Sequence, residues 1–63
     1  MSKVKLTNDL CYKLSPELIK AIYRKAYLLD ATEVVVNKAK WDWADLNLYD
    51  GNDCIAEHLY AQA

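Results

Sequence analysis

The chain has 63 residues, 54% of them hydrophobic, with a single Gly, a single Pro and a net charge of −1. A composition this apolar and this poor in breakers excludes a disordered chain, and no apolar run approaches the roughly 20 residues that cross a bilayer. The balanced total hides a split: the first forty residues hold all eight Lys and Arg against four acids (Asp9, Glu17, Asp30, Glu33), giving +4, while residues 41–63 hold five acids and no Lys or Arg, giving −5.

Residues 1–63 make one domain. A chain so short buries only about 60% of the surface its unfolded form exposes, so oligomerisation or docking onto a larger protein is the expected source of further stability. Cys11 and Cys54 form one bridge at most, and the N-terminus lacks the apolar core and cleavage site of a signal peptide, so free thiols in the cytoplasm are expected.

In chain order, the even positions Val4, Leu6, Asn8, Leu10, Tyr12 and Leu14 alternate with Lys3, Lys5, Thr7, Asp9, Cys11 and Lys13, which predicts a strand with one buried face. Asn8 and Asp9 offer a break that would fold it into a hairpin. Ser15-Pro16-Glu17-Leu18 then opens a helix, with Ser15 as N-cap and Pro16 at the first helical position. Leu18, Ile19, Ile22, Tyr23, Ala26 and Leu29 share its inner face, while Lys20, Arg24 and Tyr27 line the outer one.

Asp30 with Glu33 reads as the capping box of a second helix, whose stripe gathers Val35, Val36, Ala39, Trp43 and Leu46. The alternative is a strand from residue 33 to 43, suggested by the β-branched run Val34-Val35-Val36. Asp50-Gly51-Asn52 ends that helix or makes a hairpin turn, and a last helix with Ile55, Ala56, Leu59 and Tyr60 inward closes the chain. The expectation is therefore a mainly α fold: a short N-terminal strand or hairpin followed by two or three packed helices, with an α+β arrangement as the alternative.

Trp41-Asp42-Trp43 is the sharpest local feature, because residues two apart point away from each other on a helix but to one side on a strand. The helical reading sends Trp43 to the core and leaves Trp41 with Val34, Ala44 and Leu48 on a second apolar strip with Asp45 on its border, and the candidate partner-binding residues are Val34, Trp41, Asp42, Asp45, Leu48 and Tyr49. This surface is acidic and aromatic, suited to a protein with a basic surface. Catalysis lacks its parts: the serines are Ser2 and Ser15, the latter committed to a cap, and the lone His58 has no evident orienting acid or nucleophile. Cys54, His58 and Cys11 fall short of a zinc ligand set, so neither metal nor cofactor is expected.

An amphipathic strand, Ser-Pro-Glu-Leu, a helix and a second capped helix resemble, in pattern, the ribbon-helix-helix DNA-binding family over residues 3 to about 44. The resemblance implies a dimer whose paired strands enter the major groove with Thr7, Asp9, Cys11 and Lys13 towards the bases. The leading expectation remains a small non-enzymatic regulator or inhibitor of the phage or bacterial accessory kind, acting by protein binding and forming a homodimer in isolation; the DNA-binding regulator is the alternative.

Overall fold

The computed structural model describes residues 4–63. Its elements run β1 (Lys5–Thr7), α1 (Pro16–Leu28), β2 (Glu33–Lys40), β3 (Trp43–Asp50) and β4 (Asp53–Gln62). The four strands form one sheet in sequence order; β1 pairs with β2 in parallel through the α1 crossover, and β2, β3 and β4 form an antiparallel meander. The mainly α expectation is thus overturned: α1 is the one helix among the described residues, and the second and third helices are strands.

α1 forms where its capping chemistry places it. Ser15 Oγ accepts from the Leu18 N–H at 3.1 Å, and Pro16 occupies the first helical turn. Leu18, Ile22 and Ala26, one turn apart, are wholly buried. The helix stops at Asp30, which adopts a left-handed φ of 54°. Its N–H donates to the Tyr27 carbonyl at 3.3 Å, and the Ala31 N–H reaches back to the Ala26 carbonyl at 2.9 Å. These two bonds are the Schellman motif, so Asp30 closes α1 and does not cap a second helix. Asp can fill both posts because its short polar side chain tolerates the left-handed region and also accepts at N-caps.

After Thr32 the β-branched run Val34-Val35-Val36 enters β2. The strand stops at Lys40, short of the residue-43 end of the alternative reading, because Trp41 and Asp42 turn the chain into β3. A second two-residue turn, Gly51-Asn52, joins β3 to β4, with Gly51 at φ 64°. Thr32 pins that turn: its hydroxyl donates to the Tyr49 carbonyl and accepts from the Gly51 N–H at 2.8 Å. The N-terminal strand is shorter than its alternation suggests and forms no hairpin. Asn8 to Cys11 is a turn in which the Asn8 side chain bonds both the N–H and the carbonyl of Tyr12. Lys3 lies outside the described residues.

α1 covers one face of the sheet. Val34, Val36, Ala39, Ala44, Leu46, Leu48 and Ala61 meet Leu18, Ile22 and Ala26 there in one core. Full burial of a Leu or Ile in such a core contributes roughly 1.5–3 kcal/mol.

Bulges decide which residues face inward. Asn37 is an extra residue between Val36, opposite Leu46, and Lys38, opposite Asp45. In β4, Glu57 and His58 together oppose Asn47, and Ile55 is extra between Cys54 and Ala56. Each extra residue resets the two-residue period of the strand. A ribbon-helix-helix architecture is ruled out by the same topology, since its second helix would fall on β2 and its groove-reading strand would run through the turn at Asn8 to Cys11.

The open face of the sheet as candidate functional site

With α1 on one side, the other face of the sheet is left uncovered among the described residues. Strand pairing assigns to it Lys5 and Thr7 of β1, Glu33, Val35 and Lys38 of β2, Asp45, Asn47 and Tyr49 of β3, and Cys54 and Tyr60 of β4, joined by Lys40, Trp43 and Gln62 at one end. Trp43 and Tyr60, on neighbouring strands, stack with centroids 6.2 Å apart and planes at 24°. Trp43 is half-buried by this contact, whereas Tyr60 remains 54% exposed.

Beside the stack lies a polar cluster built by the bulges. His58 adopts a left-handed φ of 53°, and its displaced N–H donates to Asn47 Oδ1 at 3.0 Å. The same oxygen accepts from Asn37 Nδ2 at 2.7 Å. Because a backbone N–H can only donate, this pair of bonds fixes the orientation of the Asn47 amide. His58 Nδ1 meets Asp45 Oδ2 at 2.8 Å. A carboxylate only accepts, so Nδ1 carries the proton and Nε2 points free. The hydrogen bond to Asp45, followed by the attraction of that charge, raises the His58 pKa above its ordinary value. Asp45 is therefore the orienting acid that the sequence did not reveal. No side chain among the described residues is hydrogen-bonded to Nε2, so the oriented imidazole presents that nitrogen to solvent.

The six residues of the expected partner-binding strip do not form one surface. Val34 and Leu48 are cross-strand partners wholly buried under α1. Trp41 and Asp42 occupy the β2–β3 turn, where Trp41 is 61% exposed. The backbone of that turn is tied down: the Trp41 carbonyl accepts from the Ser15 N–H, and the Asp42 carbonyl from the Ala63 N–H. Asp45 and Tyr49 do share the open face. The acidic segment is likewise dispersed, with Asp42 at one end of β3, Asp50 and Asp53 flanking the turn at the other, and Glu57 in the bulge.

Both cysteines are free and exposed. No group of three His, Cys, Asp or Glu among the described residues is arranged to hold a metal ion. No helix among the described residues is long and apolar enough to cross a membrane. Comparison with protein-family models, curated proteins and solved structures returns no match.

Proposed function

We propose that the protein is a non-enzymatic cytoplasmic regulator or inhibitor that binds another protein through the open face of its sheet. The observation carrying this reading is the Trp43–Tyr60 stack, a pair of large aromatic rings on a sheet face without a covering layer. Aromatic anchors of this type dominate binding energy when a partner desolvates them. The surroundings suit a basic partner, since Asp45 lies next to the stack, Asp42 flanks it beyond the end of β3, and Glu57 stands in the adjoining bulge. Rim charges of this sort steer encounter more than they set affinity.

The test uses the immobilised chain as bait, with Tyr60→Lys as the disabled form and Lys25→Ala, exposed on the helix that covers the opposite face of the sheet, as the control. A partner captured by the wild type is purified and titrated against all three. Tyr60→Lys weakens binding by roughly 30-fold, the factor corresponding to a hot-spot loss of about 2 kcal/mol. Undiminished binding by Tyr60→Lys rejects the open face as the recognition surface.

A second reading draws on a different observation, that Lys40 and Lys38 stand opposite Trp43 and Asp45. Cations beside stacked rings are the ingredients of a single-stranded nucleic-acid platform. Titration of tryptophan fluorescence with a single-stranded oligonucleotide at low salt separates the two: salt-sensitive quenching lost in Lys38→Ala/Lys40→Ala favours nucleic acid.

A further inference from the structure

The outer face of α1 carries a feature unused by the open sheet. Lys20, Tyr23, Arg24, Tyr27 and Leu28 line a shallow groove of about 640 Å³ on the side of the molecule facing away from the open face. Its lining is mostly apolar, with Tyr27 and Leu28 both exposed to solvent. Lys20 and Arg24 stand one helical turn apart, a spacing of about 5–6 Å between Cβ atoms.

At the far end of β3, Asp50 and Asp53 face each other as direct cross-strand partners flanking the Gly51-Asn52 turn. Like charges in that position destabilise a hairpin and hold their Cβ atoms about 4.5–5.5 Å apart. The one ion pair among the described residues joins His58 to Asp45, so neither the two carboxylates nor the two groove cations form an ion pair with another described residue. The tip also stands clear: a side-chain atom added at Gly51 would meet nothing within 4 Å. The Thr32 hydroxyl bonds the turn at both the Tyr49 carbonyl and the Gly51 N–H.

We propose that the groove on α1 receives the Asp50–Asp53 hairpin tip of a second copy of this chain, Lys20 and Arg24 pairing with the two carboxylates while Tyr27 and Leu28 pack on the turn. Four charges without an ion pair among the described residues of one copy are matched between two, at nearly equal spacings. The contact is heterologous, so each copy presents one groove and one tip, and association continues head to tail until a ring closes or the chain runs out of material. This interface is independent of the open-face reading, because neither the groove nor the tip includes Trp43, Tyr60 or His58.

Sedimentation velocity and light scattering at about 20 mM salt, where the Debye length exceeds 20 Å, are compared with about 0.5 M salt, where exposed charges are screened. The wild type exceeds its 7.3 kDa monomer mass at low salt and returns to it at high salt. Lys20→Glu/Arg24→Glu and Asp50→Lys/Asp53→Lys are each monomeric, with unchanged circular dichroism. Mixed together, they co-assemble, the native groove of one taking the native tip of the other and the reversed groove taking the reversed tip, so the mixture regains the mass that each variant alone has lost. Uniting all four substitutions in one chain restores self-association. Tyr60→Lys leaves it intact. A wild type monomeric at high micromolar concentration and low salt overturns the proposal, as does assembly that survives either pair of substitutions. A monomer whose groove binds an acidic peptide overturns it too, and assigns the groove to a foreign partner.

Discussion

Replacing Asp30 by Gly is expected to stabilise the protein, which few substitutions do. Asp30 sits at φ 54° as the residue that closes α1, with its N–H bonded to Tyr27 and the following N–H bonded to Ala26. A left-handed L-residue costs roughly 1–2 kcal/mol, somewhat less for Asp, and Gly removes that penalty. Against this, Gly adds freedom to the unfolded chain, worth about 0.5–1 kcal/mol. Asp30 makes no ion pair among the described residues, so no further term enters. The balance is a gain of about 0.5 kcal/mol, reaching 1 kcal/mol at the upper end, which for a domain of this size raises Tm by roughly 2–8 °C. Thermal melting followed by circular dichroism, with a parallel urea titration, measures it. The sign carries the argument. If Asp30 instead capped the start of a following helix, Gly would cost a few tenths of a kcal/mol. A Tm unchanged or lowered in Asp30→Gly refutes the left-handed closure of α1.

Leu46→Ala, at a wholly buried site on β3, should cost about 2–5 kcal/mol and leave the protein largely unfolded, as denaturant titration would show. Trp43→Ala should cost less, about 1–2 kcal/mol, because Trp43 lies on the open face and loses chiefly its stack on Tyr60; Trp41→Ala, in an exposed turn held by its backbone, should stay within about 0.5 kcal/mol of the parent. His58 has a raised pKa in the folded state, so its pairing with Asp45 stabilises the fold fully below the unfolded value of 6.5 and the contribution fades as pH rises through the raised folded value. An NMR titration of the single imidazole should give a midpoint above 6.5 that falls back in Asp45→Asn; a midpoint insensitive to that change would remove the pair.

The parts of the fold legible in the sequence are those where one local signal had one structural meaning. Ser15-Pro16 could only open a helix, and the spacing of Leu18, Ile22 and Ala26 could only bury one helical face. The bulges undid the rest. Because Asn37 is an extra residue, the core positions of β2 run Val34, Val36, Ala39, and because Glu57 and His58 share one partner, those of β4 run Ala56, Leu59, Ala61. Steps of three in place of two imitate the spacing of an amphipathic helix, so a period count over residues 33–60 finds helices. The triple valine is the local signal in that stretch that agrees with a strand. The Trp41-Asp42 turn contains neither Gly nor a positive φ, which left nothing in the sequence to mark a hairpin there. Asp45 and His58 are thirteen residues apart, and their contact follows only from a register that the bulges themselves set.

The open-face cluster and the bulges are one construction, with Asn47 at its centre. A bulge removes a backbone N–H from the ladder, and a side-chain acceptor can hold that donor in one geometry where water would otherwise take it. Asn47 Oδ1 does so for His58 while also accepting from Asn37, the extra residue on the opposite strand, so a single carbonyl joins the irregularities of β2 and β4 across β3. An apolar residue at 47 would leave the exposed His58 N–H to solvent and untie the bulge from Asn37, and a regular β4 would shift every residue after Ala56 to the other face. Tyr60 would then turn under α1, and the stack with Trp43 would be lost. Retaining a left-handed His58 costs roughly 1–2 kcal/mol in a domain whose whole stability is expected at about 3–9 kcal/mol. Local strain of that size persists where the surrounding structure over-determines it, and it concentrates at functional sites. Here the strained residue is also the one whose imidazole is oriented by Asp45 on the uncovered side of the sheet, which places the strain and the candidate binding surface at the same point of the fold.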